Sequence, residues 1–156
     1  MRPTLFEFAA GEPAYLALAA ATTDAVWRTP SSIIPSRVPT STRVPTSTRG
    51  TSSGWPPTWA EVMGGPPAFS ASCADQSEVL RMHAGNGDMG DLGERFLRCF
   101  DRAADDAELP TDPAFRAALH AYMRRAVDDV LAYAAEDAVV APGAALPRWG
   151  WDGLQT

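Results

Sequence analysis

Cysteine is almost absent from this chain: Cys73 and Cys99 are the only two among 156 residues. Two thiols cannot build the framework of bridges that holds small secreted domains together, so a reducing compartment, the cytoplasm, is expected. Positive charge is also in deficit. Thirteen basic side chains face nineteen acidic ones, a net charge of -6. This argues against nucleic acid or an anionic membrane surface as a partner, since both require a basic face. No apolar run approaches the roughly 20 residues that cross a bilayer. The run Leu16-Ala17-Leu18-Ala19-Ala20-Ala21 has the composition of a signal-peptide core, but Glu7, Glu12 and Pro13 interrupt the charge-then-apolar order of such a leader. Alternation of apolar and polar residues, the mark of a half-buried strand, never persists over a useful length. What remains is helical periodicity on a chain long enough to bury one core, so the expected class is all-α and residues 1–156 are expected to form one domain.

The helices announce themselves through their ends. Thr4-Leu5-Phe6-Glu7 has capping-box spacing, in which hydroxyl and carboxylate each satisfy an orphan amide. Pro13 suits the first turn of a second helix, with Tyr15, Leu16, Leu18 and Ala19 on its apolar face to about Ala21. Trp59, Val62 and Met63 share a helical face that Gly64-Gly65-Pro66-Pro67 terminates. A turn through Phe69 and Cys73 leads to Gln76-Ser77-Glu78-Val79-Leu80-Arg81-Met82-His83, closed by Gly85, Asn86 and Gly87. Met89, Leu92, Phe96, Cys99, Phe100, Ala103 and Ala107 follow the three-four alternation of a long helix that Asp88 is placed to cap. Thr111, Asp112 and Pro113 open a last helix whose stripe runs from Phe115 through Leu119, Tyr122, Met123 and Val130 to Ala134. Residues 142–156 read as an irregular tail in which the aromatics of Pro147-Arg148-Trp149-Gly150-Trp151 fold back onto the body.

Residues 24–58 differ in kind. Ser, Thr, Pro and Arg dominate, no carboxylate follows Asp24 before Glu61, and Val38-Pro39-Thr40-Ser41-Thr42-Arg43 repeats at once as Val44-Pro45-Thr46-Ser47-Thr48-Arg49. Such a segment cannot build an apolar helical face and is expected to be a disordered, solvated loop.

His83 is the residue with chemistry to offer. A neutral imidazole at a helix end is a good ligand for iron or zinc, although a lone histidine is more often solvated or packed. Val79, four residues earlier, points the same way. Trp59, Met63, Phe96 and Met123 serve equally as core residues or as the apolar wall of a pocket. Cys99 reads as a buried small hydrophobe, His120 as exposed, and Asp101, Asp105, Asp106 and Glu108 as a solvated face. There is no phosphate loop, no zinc signature and no nucleophile beside a base.

Taken in order, Trp59-Ala60-Glu61-Val62-Met63-Gly64-Gly65-Pro66, Leu80-Arg81-Met82-His83-Ala84, Arg95-Phe96-Leu97-Arg98-Cys99-Phe100 and Pro147-Arg148-Trp149-Gly150-Trp151 resemble the group II truncated haemoglobins of bacteria. The resemblance covers residues 3–22 and 59–152. It implies a shortened globin fold packing two helices over two around haem b, with His83 as the proximal iron ligand. It places Trp59 and Met63 on the helix crossing the distal side, and Val79 and Met82 against the porphyrin. Phe96 stands where the family carries a tryptophan that donates to iron-bound ligand, and phenylalanine has no such donor. The implied activity is binding of oxygen, nitric oxide or another diatomic ligand, with at most nitric-oxide-detoxifying or peroxidase-like turnover and then a redox partner. The residues leave a second class open: a cofactor-free, degenerate helical bundle that binds another protein or nothing.

The family carries its distal polar helices where this chain has residues 24–58. Read one base earlier, the codons of Arg28 to Ser36 can encode Ala-Asp-Pro-Val-Val-Asn-His-Pro-Phe. By the same shift the repeat can encode Gly-Ala-Asp-Phe-His-Pro, and Gly50 to Thr58 Gly-His-Val-Glu-Arg-Leu-Ala-Ala-Tyr, which runs into Trp59 as one helix. A pair of compensating frameshifts accounts for all three. The nucleotide sequence checks this: codons that permit these peptides are expected, and an intact frame that forbids them disposes of the idea.

Overall fold

A computed structural model describes residues 1–28, 56–72 and 75–155. The low-complexity segment, but for its two ends, and Cys73 lie outside them. The chain is mostly helical, with six α-helices and little strand among the described residues. None of these helices is long and apolar enough to cross a membrane.

Helix α1 (Leu5–Phe8) is one turn, held by the capping box read from the sequence. Glu7 N–H donates to Thr4 Oγ1 at 3.1 Å, and Thr4 N–H to Glu7 Oε2 at 2.9 Å. Helix α2 (Glu12–Arg28) runs well past Ala21, the expected end. Its polar continuation stays helical because this helix packs along α5, and the Thr22 and Thr23 hydroxyls are satisfied within it by donating back to the Leu18 and Ala19 carbonyls, at 2.7 and 2.9 Å. Helix α3 (Pro56–Val62) starts on proline and stops where Gly64 takes φ 96°, a conformation that a side chain would strain.

Helix α4 (Gln76–His83) is followed by α5 (Leu92–Asp106) and α6 (Pro113–Leu131). Asp88 does not cap α5. Its carboxylate accepts from Gly90 N–H at 2.9 Å in the preceding turn, while Asp91 occupies the cap position without a side-chain bond. Met89 accordingly sits in that turn rather than on the helix. At the far end α5 closes with Glu108 at φ 53° and backbone bonds Glu108 N–H to Asp105 O and Leu109 N–H to Ala104 O, the Schellman arrangement with an acidic residue in the glycine position. Arg116 completes it by donating to the carbonyls of Ala104, Leu109 and Pro110 at 3.2, 2.9 and 2.6 Å. Asp112 caps α6 through Phe115 N–H at 2.8 Å, with proline in the first turn as expected.

The core gathers Leu5, Tyr15, Leu18, Met63, Phe100 and Phe115 with neighbours from α2, α3, α5 and α6. Tyr15 donates its hydroxyl to Leu5 O at 3.2 Å, so the phenol is buried without an unmet bond. The tail is only partly irregular. Arg148–Gly150 (β1) pairs antiparallel with Gly153–Gln155 (β2), a hairpin the sequence reading missed. An isolated hairpin this short is marginal. Its tryptophans anchor it: Trp149 Nε1–H donates to Ala118 O at 2.9 Å and Trp151 Nε1–H to Pro3 O at 2.7 Å. The Arg2 guanidinium covers the Trp151 ring at 3.5 Å.

Helices α5 and α6 cross closely at Gly93, where an added Cβ would meet Val127 Cγ1 at 2.8 Å and Leu131 Cδ1 at 3.2 Å. Valine is stiff in a helix and cannot turn aside. Alanine gains about 1 kcal/mol of helix propensity over glycine, but overpacking costs roughly 1–3 kcal/mol. Gly93→Ala is therefore expected to lower stability in chemical denaturation, and the added substitution Val127→Ala to cost less beside it than alone.

Candidate functional site

The site is built on α4, a helix of eight residues. Isolated, so short a helix does not form, and this one is held at both ends by the chain that follows α6. At its start Asp75 accepts from Glu78 N–H at 3.0 Å and from Gly143 N–H at 3.2 Å. Gln76 N–H donates to Ala144 O at 2.9 Å, and Ala144 N–H to the fully buried Ser77 hydroxyl at 2.9 Å. At its end Gly85 N–H reaches Tyr133 O at 3.0 Å, and Gly87 N–H reaches Ala134 O at 2.7 Å. Asn86 Nδ2 donates to His83 O at 2.8 Å.

His83, the last residue of α4, is half-buried. Its Nδ1–H donates to the Val79 carbonyl at 2.7 Å. A carbonyl can only accept, so this bond puts the proton on Nδ1 and the lone pair of the neutral ring on Nε2. The ring lies on the wall of a cavity of about 310 Å³. Of the residues singled out in the sequence, His83, Val79, Met82, Trp59, Phe96 and Met123 all line that cavity. They come from α3, α4, α5 and α6. Met82 is 62% exposed and marks the mouth. Trp59 is fixed by an edge contact with Phe100, ring centroids 5.3 Å apart.

Met63 departs from the expectation. It does not line the cavity but is fully buried in the core, where its carbonyl accepts from Phe6 N–H at 2.9 Å. The helical face it shares with Trp59 is wide enough to serve two environments, and Met63 faces the core. His120 is partly exposed, its Nδ1 3.0 Å from either carboxylate oxygen of Asp101, and Cys99 is buried.

Several wall residues were not anticipated. Val26 belongs to the part of α2 beyond Ala21, and Met89 to the turn before α5. Tyr122 is the notable one, since it lies on the apolar stripe beside Met123 and the stripe alone does not separate a core phenol from a cavity phenol. It is 6% exposed and packs edge-on against Trp149, centroids 5.9 Å apart. Burial, with a smaller contribution from the negative Asp129, pushes its ionisation well above the ordinary tyrosine range, so the hydroxyl stays protonated. Among the described residues the wall carries no Asp, Glu, Lys or Arg side chain. Nor do three or more His, Cys, Asp or Glu side chains converge anywhere among them, the set that a bare metal ion requires.

Comparison with family models, with curated proteins and with solved structures finds no match to this chain.

The two methionines bracketing the site separate wall from core. Met63→Ala is expected to cost about 2–5 kcal/mol of stability, as for a fully buried methionine. Met82→Ala is expected to change it by no more than about 0.5 kcal/mol, as for an exposed side chain. Urea denaturation of both variants checks this.

Proposed function

We propose that this chain is a haem-binding protein of two-over-two globin type, with His83 as the proximal ligand and a diatomic gas, oxygen or nitric oxide, as the exchangeable one. The observation that carries the reading is the hydrogen bond from His83 Nδ1–H to the Val79 carbonyl on the wall of an apolar cavity. Metal-binding histidines are held in just this way, the second nitrogen bonded to a fixed acceptor that sets ring orientation and raises ligand basicity. The donor set also suits the group. One imidazole in apolar surroundings cannot hold a bare ion, whereas a metal already carried in a macrocycle needs only one or two axial donors. The cavity volume of about 310 Å³ lies at the lower end of the range for small-molecule and cofactor sites, roughly 300–1,000 Å³.

Bound there, haem supplies reversible ligation of the gas and any electron transfer. The chain's own residues supply position and environment. His83 presents the Nε2 lone pair, and the clamped ends of α4 hold the ring in place. Trp59, Met123 and Phe96 exclude water from the pocket. Phe96 offers no hydrogen bond to bound oxygen, so ligand loss and oxidation are expected to be fast unless another wall residue donates. Turnover of nitric oxide or peroxide would require a redox partner in addition.

Haemin titration tests the reading. The protein is expected to take up one equivalent with a Soret band that responds to carbon monoxide after reduction. His83→Ala is expected to abolish the ordered spectrum, and added imidazole to restore it. Absence of any His83-dependent absorbance would leave a cofactor-free helical bundle as the better description.

A further inference from the structure

Tyr122 is the one phenol on the cavity wall, and its hydroxyl has no hydrogen-bond partner among the described residues. No described side-chain oxygen or nitrogen is both closed off from solvent and unpartnered. The Tyr122 oxygen therefore borders open space, and the open space this buried residue lines is the cavity. By contrast the other buried core tyrosine, Tyr15, spends its hydroxyl on a backbone carbonyl. A hydroxyl on an apolar wall that makes no bond to the protein is left for water or an occupant to pair.

We infer that the Tyr122 hydroxyl is the hydrogen-bond donor through which this cavity takes a negative or partly negative oxygen of its occupant. The inference deepens the proposed function and rests on it for the nature of that occupant. Burial keeps the phenol protonated, so its O–H is available to donate. No carboxylate on the described wall opposes an anionic oxygen, and Asp129, the acid whose charge acts on the phenol, is itself paired with Arg125 at 3.6 Å. The ring is set by Trp149, whose indole is tied to Ala118 O, so the donor is pre-positioned. It also puts a donor on the α6 side of a wall where Phe96 on α5 offers none.

Tyr122→Phe removes only the oxygen. The cofactor-free protein is titrated with two fluorescent naphthalenes of similar shape, anilinonaphthalene sulfonate and the neutral N-phenylnaphthylamine. The variant is expected to bind the sulfonate about tenfold or more weakly, the value of a hydrogen bond to a charged acceptor, and the neutral probe unchanged. Its melting temperature is expected to hold or rise, because no protein bond is lost. Equal effects on both probes, no effect on either, or a melting temperature several degrees lower would overturn the inference. Haemin uptake by the unaltered protein is scored separately, so failure of the haem reading is seen apart from failure of the donor. Where haemin binds, its dimethyl ester distinguishes the source of the oxygen. A loss confined to the free acid assigns the macrocycle's carboxylate, faster oxygen release from the ferrous variant assigns the iron-bound ligand, and neither effect excludes Tyr122 as a donor to haem.

Discussion

An eight-residue helix carries the imidazole, and it stands because another part of the chain holds both its ends. Asp75, Gln76 and Ser77 are bonded to residues 143 and 144, and Gly85 and Gly87 to residues 133 and 134. Each bond contributes only about 1 kcal/mol net. Together they replace the length that the helix lacks, and they couple the direction of the His83 ring to the exit of α6. The Val79 carbonyl adds the last constraint, fixing the ring within the helix that the clamp has fixed within the protein.

Seen from the clamp, the cavity is a meeting place of unequal partners. Helices α5 and α6 form its firm side, crossing so closely at Gly93 that a Cβ there would force its neighbours on α6 to shift. Helix α4 forms the lighter side, with few contacts of its own beyond the end clamps and a single buried leucine, Leu80. The described wall is apolar except at Thr58, Gln76, His83, Asn86 and Tyr122. Such a surface gains from covering a flat apolar body and offers polar contacts at a handful of points only.

Local chemistry was legible in the sequence and long-range chemistry was not. The Thr4–Glu7 box, the Asp112–Pro113 start of α6 and the Gly64–Pro67 stop depend on residues within one turn of each other, and all form as read. The extension of α2 past Ala21 depends on packing against α5, which no window of that helix displays. Asp88 has a capping side chain at a plausible spacing, yet the turn at Gly90 claims it first. The hairpin at 148–155 escaped because three-residue strands are too short to alternate, and tryptophan anchors rather than strand pattern hold it. At the site, residues picked for their place in an ordered set of motifs converge on one cavity. Met63 does not, because a helix end with apolar residues on neighbouring faces does not reveal which face meets the core.

Arg116 has a mechanical consequence. One guanidinium serves three carbonyls at the corner joining α5 to α6 and pairs with Asp105 at 2.9 Å, so the corner behaves as a bolted joint. Spreading these two helices would strand several acceptors at once. The joint thus keeps α5 and α6 together at the end remote from the cavity, as the close crossing at Gly93 does at the end beside it.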